Sequence, residues 1–301
     1  MESAGSTSGG AVFESQKTKF PLHGWLGLSL AGFFWFLNWT LPGVRTHWGF
    51  FPMWLGYCLT IDALVLARTC TSLLTRDWRK YIGLFLISAP VWWLFEAFNV
   101  RTQNWTYLGA DQLSSLQFTF WTTLSFMTVI PAVFAGAELF SSFDFVRKLR
   151  RGPILRPDRI TTITFFVLGW VTLALLLIWP KIFFPFIWIS PYFISEPLNV
   201  WLGHRSLADW TKDGDWRPVI ALWLGVLLTA FFWEMWNYYA FPKWVYSVAW
   251  GNGLHLFEMP LLGYGGYLPF ALELYAIYHL VFGLFGQKRV RYVKVTADEA
   301  S

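Results

Sequence analysis

The sequence predicts an all-α integral membrane protein, with about eight transmembrane helices arranged as two parallel four-helix repeats. Three observations predict this fold. Of the 301 residues, 55% are hydrophobic and only 14% are charged, whereas a typical soluble domain has about 25% charged residues. Eight apolar segments are long enough to cross the hydrocarbon as helices. A set of short motifs also occurs twice, about 138 residues apart.

The chain divides into five parts. Residues 1–20 are polar, rich in Gly and Ser, and lack the apolar core of a signal peptide, so we expect a disordered cytoplasmic tail. The first repeat covers 21–143, a basic cytoplasmic linker covers 144–159, the second repeat covers 160–286, and 287–301 form a basic cytoplasmic tail. The predicted spans are 24–41, 49–67, 81–99, 116–142, 160–180, 183–200, 218–239 and 260–284.

The basic residues predict the orientation of these spans. With the N-terminus in the cytoplasm, nineteen of the 23 Lys and Arg residues fall in cytoplasmic segments and four fall in the outer loops. Cytoplasmic loops of membrane proteins carry such an excess. We therefore expect a multi-pass protein of the inner (cytoplasmic) membrane with both termini in the cytoplasm. The net charge of +5 sits in these short loops, so nucleic-acid binding is not indicated.

The two halves match in order along the chain. The clearest matching pairs are Asp77-Trp78-Arg79 with Asp215-Trp216-Arg217, Glu96 with Glu234, Asn99 with Asn237, Trp105 with Trp244, Tyr107 with Tyr246, Pro131 with Pro269, and, with one insertion, Asp62 with Glu196. Each half holds an even number of spans, so both begin on the same side of the membrane. The repeats are then parallel and related by a pseudo-two-fold axis along the membrane normal.

The repeated Glu-x-x-Asn motif is the first candidate for function. Spacing of i, i+3 puts Glu96 and Asn99, and likewise Glu234 and Asn237, on one helix face, where the amide could hold the carboxylate. A carboxylate at membrane depth costs about 2.5 kcal/mol or more unless it has a partner. The pair is therefore either a polar clamp between helices or a functional acid, and the sequence leaves both open. Asp-Trp-Arg is explained by helix capping and interfacial anchoring.

A second motif, His255-x-x-Glu258, occurs only in the second half. It indicates either specialisation of one repeat or drift at a helix start. The five histidines have no metal-ligand spacing, and the two cysteines form no CxxC pair. No phosphate-binding loop is present either. We therefore predict no metal and no cofactor.

From Phe95 onward the sequence resembles the small, membrane-embedded lycopene cyclase domain family, which is built of two repeated units. In both halves an apolar helix ends in an acid, a Trp-x-Tyr follows, and a helix with a further acid comes next. The matching residues are Phe95-Glu96, Trp105-Thr106-Tyr107 and Glu138 in the first half, and Trp233-Glu234, Trp244-Val245-Tyr246, Phe257-Glu258 and Glu273 in the second. The family's acidic pair is here the single Glu258, and each unit has four spans where the family has three.

This resemblance implies acid-initiated cyclisation or isomerisation of a long polyene, without a cofactor. A carboxylic acid in apolar surroundings donates to a double bond, and aromatic faces stabilise the carbocation. Glu96 and Glu234 would be the acids, with Asn99 and Asn237 beside them, and Glu258 would assist. The candidate substrate-binding residues are Trp93, Trp105, Tyr107, Trp233, Trp236, Trp244, Tyr246 and His255.

The leading functional hypothesis is thus a membrane-embedded enzyme that acts on an isoprenoid or carotenoid-like lipid by carboxylate acid–base chemistry. Its expected partner is a membrane lipid or isoprenoid substrate, and it could form homo- or hetero-oligomers in the membrane. Two alternatives stay open. One is a non-enzymatic membrane subunit or a lipid- or pigment-binding protein. The other is a transporter that uses the acids as relay points, with Glu273 as the main candidate near the middle of a span.

Overall fold

The computed structural model describes residues 19–149, 152–251 and 253–296, so most of the predicted N-terminal tail and the last five residues lie outside the described residues. The protein is mainly helical. The α-helices of the described residues are α1 (Leu22–Thr40), α2 (Thr46–Thr69), α3 (Leu73–Arg76), α4 (Trp78–Thr102), α5 (Ser115–Phe126), α6 (Val129–Ser141), α7 (Asp144–Arg147), α8 (Arg159–Ile178), α9 (Pro180–Phe183), α10 (Ser190–Leu202), α11 (Ala208–Thr211), α12 (Arg217–Tyr238) and α13 (Tyr264–Leu284).

Within the described part of the chain, six helical segments are long and apolar enough to cross a membrane. They are α2, α4, the α5–α6 pair, α8, α12, and α13 with the 3-10 turn before it. Each coincides with one of the predicted spans. The first predicted span, 24–41, corresponds to α1, a 19-residue helix outside this set of six.

The prediction of one continuous helix over 183–200 is wrong. This region consists of the short helix α9, a 3-10 turn at Phe184–Trp188 and the 13-residue helix α10. Pro180, Pro185 and Pro191 each stand in the first turn of one of these pieces. Proline has no N–H to donate to the preceding turn, and it is favoured where a helix begins. The chain therefore starts a new helical piece at each of them.

The α5–α6 segment and α12 form the centre of the bundle, whereas α8 lies at its edge. In the apolar window of Ser115–Ser141, 72% of residues are buried, against 17% in that of α8. Helices α6 and α12 cross where Gly136 faces Gly225. A Cβ added at Gly225 would come within 2.3 Å of the backbone nitrogen of Ala137. Small residues allow such close backbone contact between membrane helices.

Two short strands join the ends of α4 and α12. Strand β1 (Trp105–Leu108) pairs antiparallel with β2 (Lys243–Tyr246), with Trp105 opposite Tyr246 and Tyr107 opposite Trp244. A hairpin of β3 (His255–Leu256) and β4 (Met259–Pro260) follows. We call this end of the bundle the sheet end. The pairing was missed from the sequence, because its strands are only four residues long and far apart along the chain.

At the opposite end, which we call the tail end, the last described residues pack into the protein. Tyr292 and Val293 are buried. The Tyr292 hydroxyl donates to the Leu73 carbonyl (2.6 Å), and the Lys294 N–H donates to Glu138 Oε1 (2.7 Å). The linker makes comparable contacts, where the Leu155 N–H donates to the Thr211 carbonyl (2.9 Å). The C-terminal segment is thus bonded to the region before α4, and the linker is bonded to the region before α12.

Candidate functional site

A cavity of about 510 Å³ lies at the sheet end, within the size range of small-molecule sites. Its walls are mostly apolar and rich in aromatic rings. The aromatic side chains that line it are Phe50, Trp92, Trp105, Tyr107, Phe118, Trp121, Phe126, Phe184, Phe186, Trp188, Trp233, Trp244, Tyr246, Trp250, Tyr267 and Phe270. Because β1, β2, α5 and the start of α13 all contribute, both halves of the chain build this one cavity.

Glu96 lies behind the cavity wall, half-buried near the end of α4. Its Oε1 accepts three hydrogen bonds from side chains that line the cavity: Trp92 Nε1 (3.2 Å), Trp105 Nε1 (3.0 Å) and the Tyr107 hydroxyl (2.6 Å). An indole N–H can donate but not accept. Oε1 of Glu96 is therefore the acceptor of these bonds, and the acid fixes the orientation of three wall residues.

Glu234 occupies the matching place on α12, but it is fully buried. Its Oε1 accepts from the hydroxyls of Tyr246 (2.7 Å) and Tyr267 (2.6 Å). The Tyr246 hydroxyl in turn accepts from Trp244 Nε1 (2.9 Å). Unlike indoles, the tyrosine partners can either donate or accept. Glu234 is thus joined to the cavity by hydroxyl groups that can carry a proton in both directions.

The strand tyrosines are held in their protonated form. Burial, together with the neighbouring Glu96 carboxyl, raises the pKa of the Tyr107 hydroxyl, and burial with the neighbouring Glu234 does the same to the pKa of Tyr246. Both strands lie outside the candidate spans. Near neutral pH these two hydroxyls therefore present a proton to the carboxyl groups.

The two asparagines hold the strands instead of the carboxylates, so the expectation that the amide holds its neighbouring acid is corrected. Asn99 Nδ2 donates to the Trp105 carbonyl (2.8 Å), and its Oδ1 accepts from the Trp105 N–H (3.2 Å). Asn237 makes the same pair of bonds to Trp244, at 2.7 and 3.0 Å. Each strand must leave its helix in a sharp turn, and the amide satisfies the strand's first backbone groups.

Four other predicted site residues lie elsewhere. Trp93 faces α5, where its Nε1 donates to Thr123 (3.1 Å), and the neighbouring Trp92 lines the cavity instead. Trp236 is buried among Trp35, Trp54 and Tyr57. His255 is exposed on β3. Glu258, in the turn between β3 and β4, forms an ion pair with Lys243.

Tyr267 is the functional candidate that sequence reasoning missed. It lies one helical turn into α13, in a stretch of glycines and tyrosines that indicated only close helix packing. Its ring stacks on Trp233, with ring centroids 6.0 Å apart and planes inclined by 27°. The available signal was the i, i+3 repeat of Tyr264 and Tyr267 on a helix that begins beside the repeated Trp-x-Tyr.

Two further observations concern acidic and metal-ligating side chains of the interior. Glu273, three residues beyond the cavity residue Phe270, is fully buried, and neither of its carboxyl oxygens has a hydrogen-bond partner among the described residues. Over 19–149, 152–251 and 253–296, no three His, Cys, Asp or Glu residues are grouped as a metal site.

Comparison with known proteins gave no relatives: no family model matches the chain, and neither a curated protein nor a solved structure matches it.

Proposed function

We propose that this protein is a membrane-embedded enzyme that binds an isoprenoid or carotenoid-like lipid in the cavity and cyclises or isomerises it by carboxylate acid–base chemistry. One observation carries the proposal: three tyrosine hydroxyls, those of Tyr107, Tyr246 and Tyr267, belong to residues that line the cavity and are bonded to two glutamates behind its wall. An apolar, aromatic cavity with a few convergent polar groups is the usual form of a lipid or cofactor site.

The aromatic walls support a polyene as the ligand. Indole and phenyl faces carry partial negative charge and attract a cation within about 6 Å. Protonation of a double bond creates such a cation among these rings. The rings around the cavity, such as Trp233 and Phe270, would then lower the energy of the intermediate. A saturated lipid has no double bond to protonate, so it would form no carbocation for these rings to stabilise.

In the proposed cycle, Glu234 supplies the proton. A protonated Glu234 gives its proton to the Tyr267 oxygen while the Tyr267 hydroxyl proton passes to a double-bond carbon, which forms one C–H bond and leaves a carbocation. Ring closure or a bond shift moves the positive charge along the chain. A neighbouring C–H bond then breaks, its electron pair forms the new double bond, and the proton leaves to a base. The substrate gains one proton from Glu234 and loses one to the base, so no co-reactant is needed. Release of the second proton to water and uptake of another at Glu234 then restore both groups.

Glu96 fits the role of the base. Its Oε1 already accepts from two indole N–H groups that cannot take a proton back. The third donor to this oxygen, the Tyr107 hydroxyl, joins Glu96 to the cavity. Asn99 and Asn237 act as positioning residues through the strands, and Glu258 through its pair with Lys243 positions the hairpin. The two acids would thus divide the reaction between them.

Recurring bonds support the proposal that the chain is two parallel repeats. In both halves the asparagine side chain donates to the carbonyl of the tryptophan in the following strand. Asp62 accepts from the backbone of Leu74, twelve residues on, and Glu196 accepts from that of Ala208, also twelve residues on. In the β1–β2 pairing, Trp105 lies opposite Tyr246, and their equivalents Trp244 and Tyr107 lie opposite each other in the same way. A two-fold axis between the strands requires this symmetric register.

With α1 and the broken segment from α9 to α10 as the remaining two crossings, the chain has eight spans. The basic segments at the tail end then lie in the cytoplasm and the sheet end lies outside, in the orientation that the excess of cytoplasmic Lys and Arg favours. We propose the inner (cytoplasmic) membrane as the protein's location.

A lipid- or pigment-binding protein is the second candidate, and one observation favours it. Neither glutamate itself lines the cavity, since tyrosine and tryptophan side chains stand between each carboxyl and the ligand space. The acids could then serve only to orient the wall. The enzyme and the binding protein make opposite predictions for a variant that removes one hydroxyl.

The test is to produce the protein in a host that makes acyclic carotenoids and to identify the polyenes by mass spectrometry and absorbance. We expect a cyclised or isomerised product with the wild type, and unchanged polyene with Glu234→Gln or Tyr267→Phe. Tyr57→Phe is the matched control, because the buried Tyr57 hydroxyl bonds Thr229 Oγ1 (3.2 Å) and neither an acid nor the cavity wall. Unchanged polyene bound to every variant would establish the binding protein instead. A folded wild type that retains no polyene would overturn both proposals.

A further inference from the structure

Chain segments of equal length close the cavity differently in the two halves. After β1, the chain forms helix α5, whereas the stretch at the same distance after β2 forms the β3–β4 hairpin. Leu116 and Leu254 occupy equivalent places, 138 residues apart, as do Pro131 and Pro269. The difference follows from composition, since Pro260 and the surrounding glycines cannot continue a helix. We call residues 253–263 the leucine hairpin.

The inner side of the leucine hairpin is part of the cavity wall. Met259, Pro260, Leu262 and Gly263 all line the cavity. The wall is thin here, because a two-residue strand pair replaces a three-turn helix. On the opposite side of the cavity, α5 contributes Phe118, Trp121 and Phe126 instead.

The outer side of the leucine hairpin exposes four leucines, with His255 between two of them. The exposed fractions are 80% for Leu254, 42% for Leu256, 54% for Leu261 and 76% for Leu262. Four such leucines together form an apolar surface that is costly in water and stable in hydrocarbon. The surface is continuous with the cavity, because Leu262 belongs to both.

The leucine hairpin has no α-helix to stiffen it. It is held by the ion pair of Glu258 with Lys243, by the Tyr264 hydroxyl donating to the Leu256 carbonyl, by the Leu261 N–H donating to the Leu254 carbonyl (2.7 Å), and by the ring of Phe257 against Phe231 and Tyr238. Helix α5 has a Ser114–Gln117 capping box and contacts of Trp93 with Thr123 and Phe126. Both segments bury little, with Met259 and Pro260 buried in the hairpin and Phe126 in α5. A two-residue strand pair has fewer backbone bonds to lose than a three-turn helix, which makes the hairpin side the candidate for opening.

We propose that the leucine hairpin lies in the hydrocarbon of the leaflet at the sheet end and is the entrance through which an apolar lipid of the bilayer reaches the cavity. This inference rests on the proposed function, since it needs a cavity that takes up lipid. It assigns the two halves different roles: α5 is the fixed wall and the leucine hairpin is the gate. In the proposed orientation, the ligand arrives from the outer leaflet.

The experiment measures loading of the full-length protein in nanodiscs from donor vesicles that carry trans-parinaric acid, a conjugated polyene. Energy transfer from tryptophan to the polyene that saturates as the polyene content of the bilayer rises reports its arrival in the cavity, because transfer from exposed tryptophans such as Trp25 and Trp170 does not saturate. We expect Leu254→Glu to slow loading roughly tenfold, because a carboxylate at this place is unfavourable in hydrocarbon and would keep the hairpin out of it. The final level should match the wild type. Leu116→Glu is the matched control, since Leu116 is 81% exposed at the equivalent place on α5, and it should load at the wild-type rate.

Equal loading rates of Leu254→Glu and Leu116→Glu, whether at the wild-type rate or equally slowed, would overturn the proposed entrance. They would leave the proposed function of the cavity intact. No energy transfer with the folded wild type would instead overturn the proposed function. A second variant covers misfolding of Leu254→Glu: Lys243→Cys with Glu258→Cys, in a Cys70→Ser background, joined by a short reducible cross-linker. Cross-linking should slow loading and reduction should restore it. Unchanged loading after complete cross-linking would contradict a moving hairpin.

Discussion

The glutamates behind the cavity differ in what their partners can do, although they stand at equivalent places in the sequence. Glu96 is bonded to two indoles, which can only donate, and to the phenol of Tyr107, whereas Glu234 is bonded to two phenols, which can also accept. The repeated motif predicted both acids, but this difference depends on Tyr267, which has no partner in the motif. The different partners of the two acids could therefore not be predicted from the repeat.

The asparagines allow a prediction at the same scale. Asn237→Asp keeps the acceptor for the Trp244 N–H but removes the donor to the Trp244 carbonyl, in a site where Asn237 is fully buried. A buried polar group left without its bond costs roughly 1–3 kcal/mol. Asn99→Asp removes the equivalent bond at a half-buried site, so we expect a smaller loss. Thermal unfolding of both variants in one detergent measures the difference, and an equal or larger loss at Asn99 would contradict it.

At the scale of helices and strands, long apolar segments were predicted well and irregular ones were not. Six of the predicted spans coincide with candidate membrane helices, because hydrophobic length is a property of the local sequence. The span at 183–200 failed because new helical pieces begin within it at Pro185 and Pro191. The β1–β2 pairing joins residues about 140 positions apart, and local propensity carries no information on such a partner. The cavity depends on that pairing.

The contact between α6 and α12 gives a prediction at the helix scale. Gly225→Ala would place its Cβ 2.3 Å from the backbone of Ala137, with no flexible side chain to move aside. The helices must separate, so we expect a loss of roughly 1–3 kcal/mol in stability. Gly32→Ala is the control, because a Cβ at Gly32 in α1 meets nothing within 4 Å. It should be neutral or gain up to about 1 kcal/mol from helix propensity. Unfolding curves that show the opposite order would disprove the close crossing.

Over the whole molecule, the two basic segments cross between the halves. The linker that leaves the first half bonds to the loop before α12, and the segment that leaves α13 bonds to the loop before α4. The basic segment that follows each half therefore packs against the other half. Such an exchange fits a pseudo-two-fold arrangement and ties the proposed repeats into one cooperative unit at the tail end, away from the cavity.

Removal of residues 288–301 tests this role of the C-terminal segment. The truncation takes away buried Tyr292, Val293 and Val295, and it leaves Glu138 without the bond from the Lys294 N–H. Burial of side chains of this size contributes about 1.5–3 kcal/mol each as an upper value, so we expect a large fall in the unfolding temperature. Tyr292→Phe loses only the hydrogen bond to the Leu73 carbonyl and should cost about 1 kcal/mol. Truncated protein that is still folded at low temperature should bind polyene as the full chain does, because the cavity is at the other end. A truncated protein as stable as the full chain would show that the segment is not part of the packed structure.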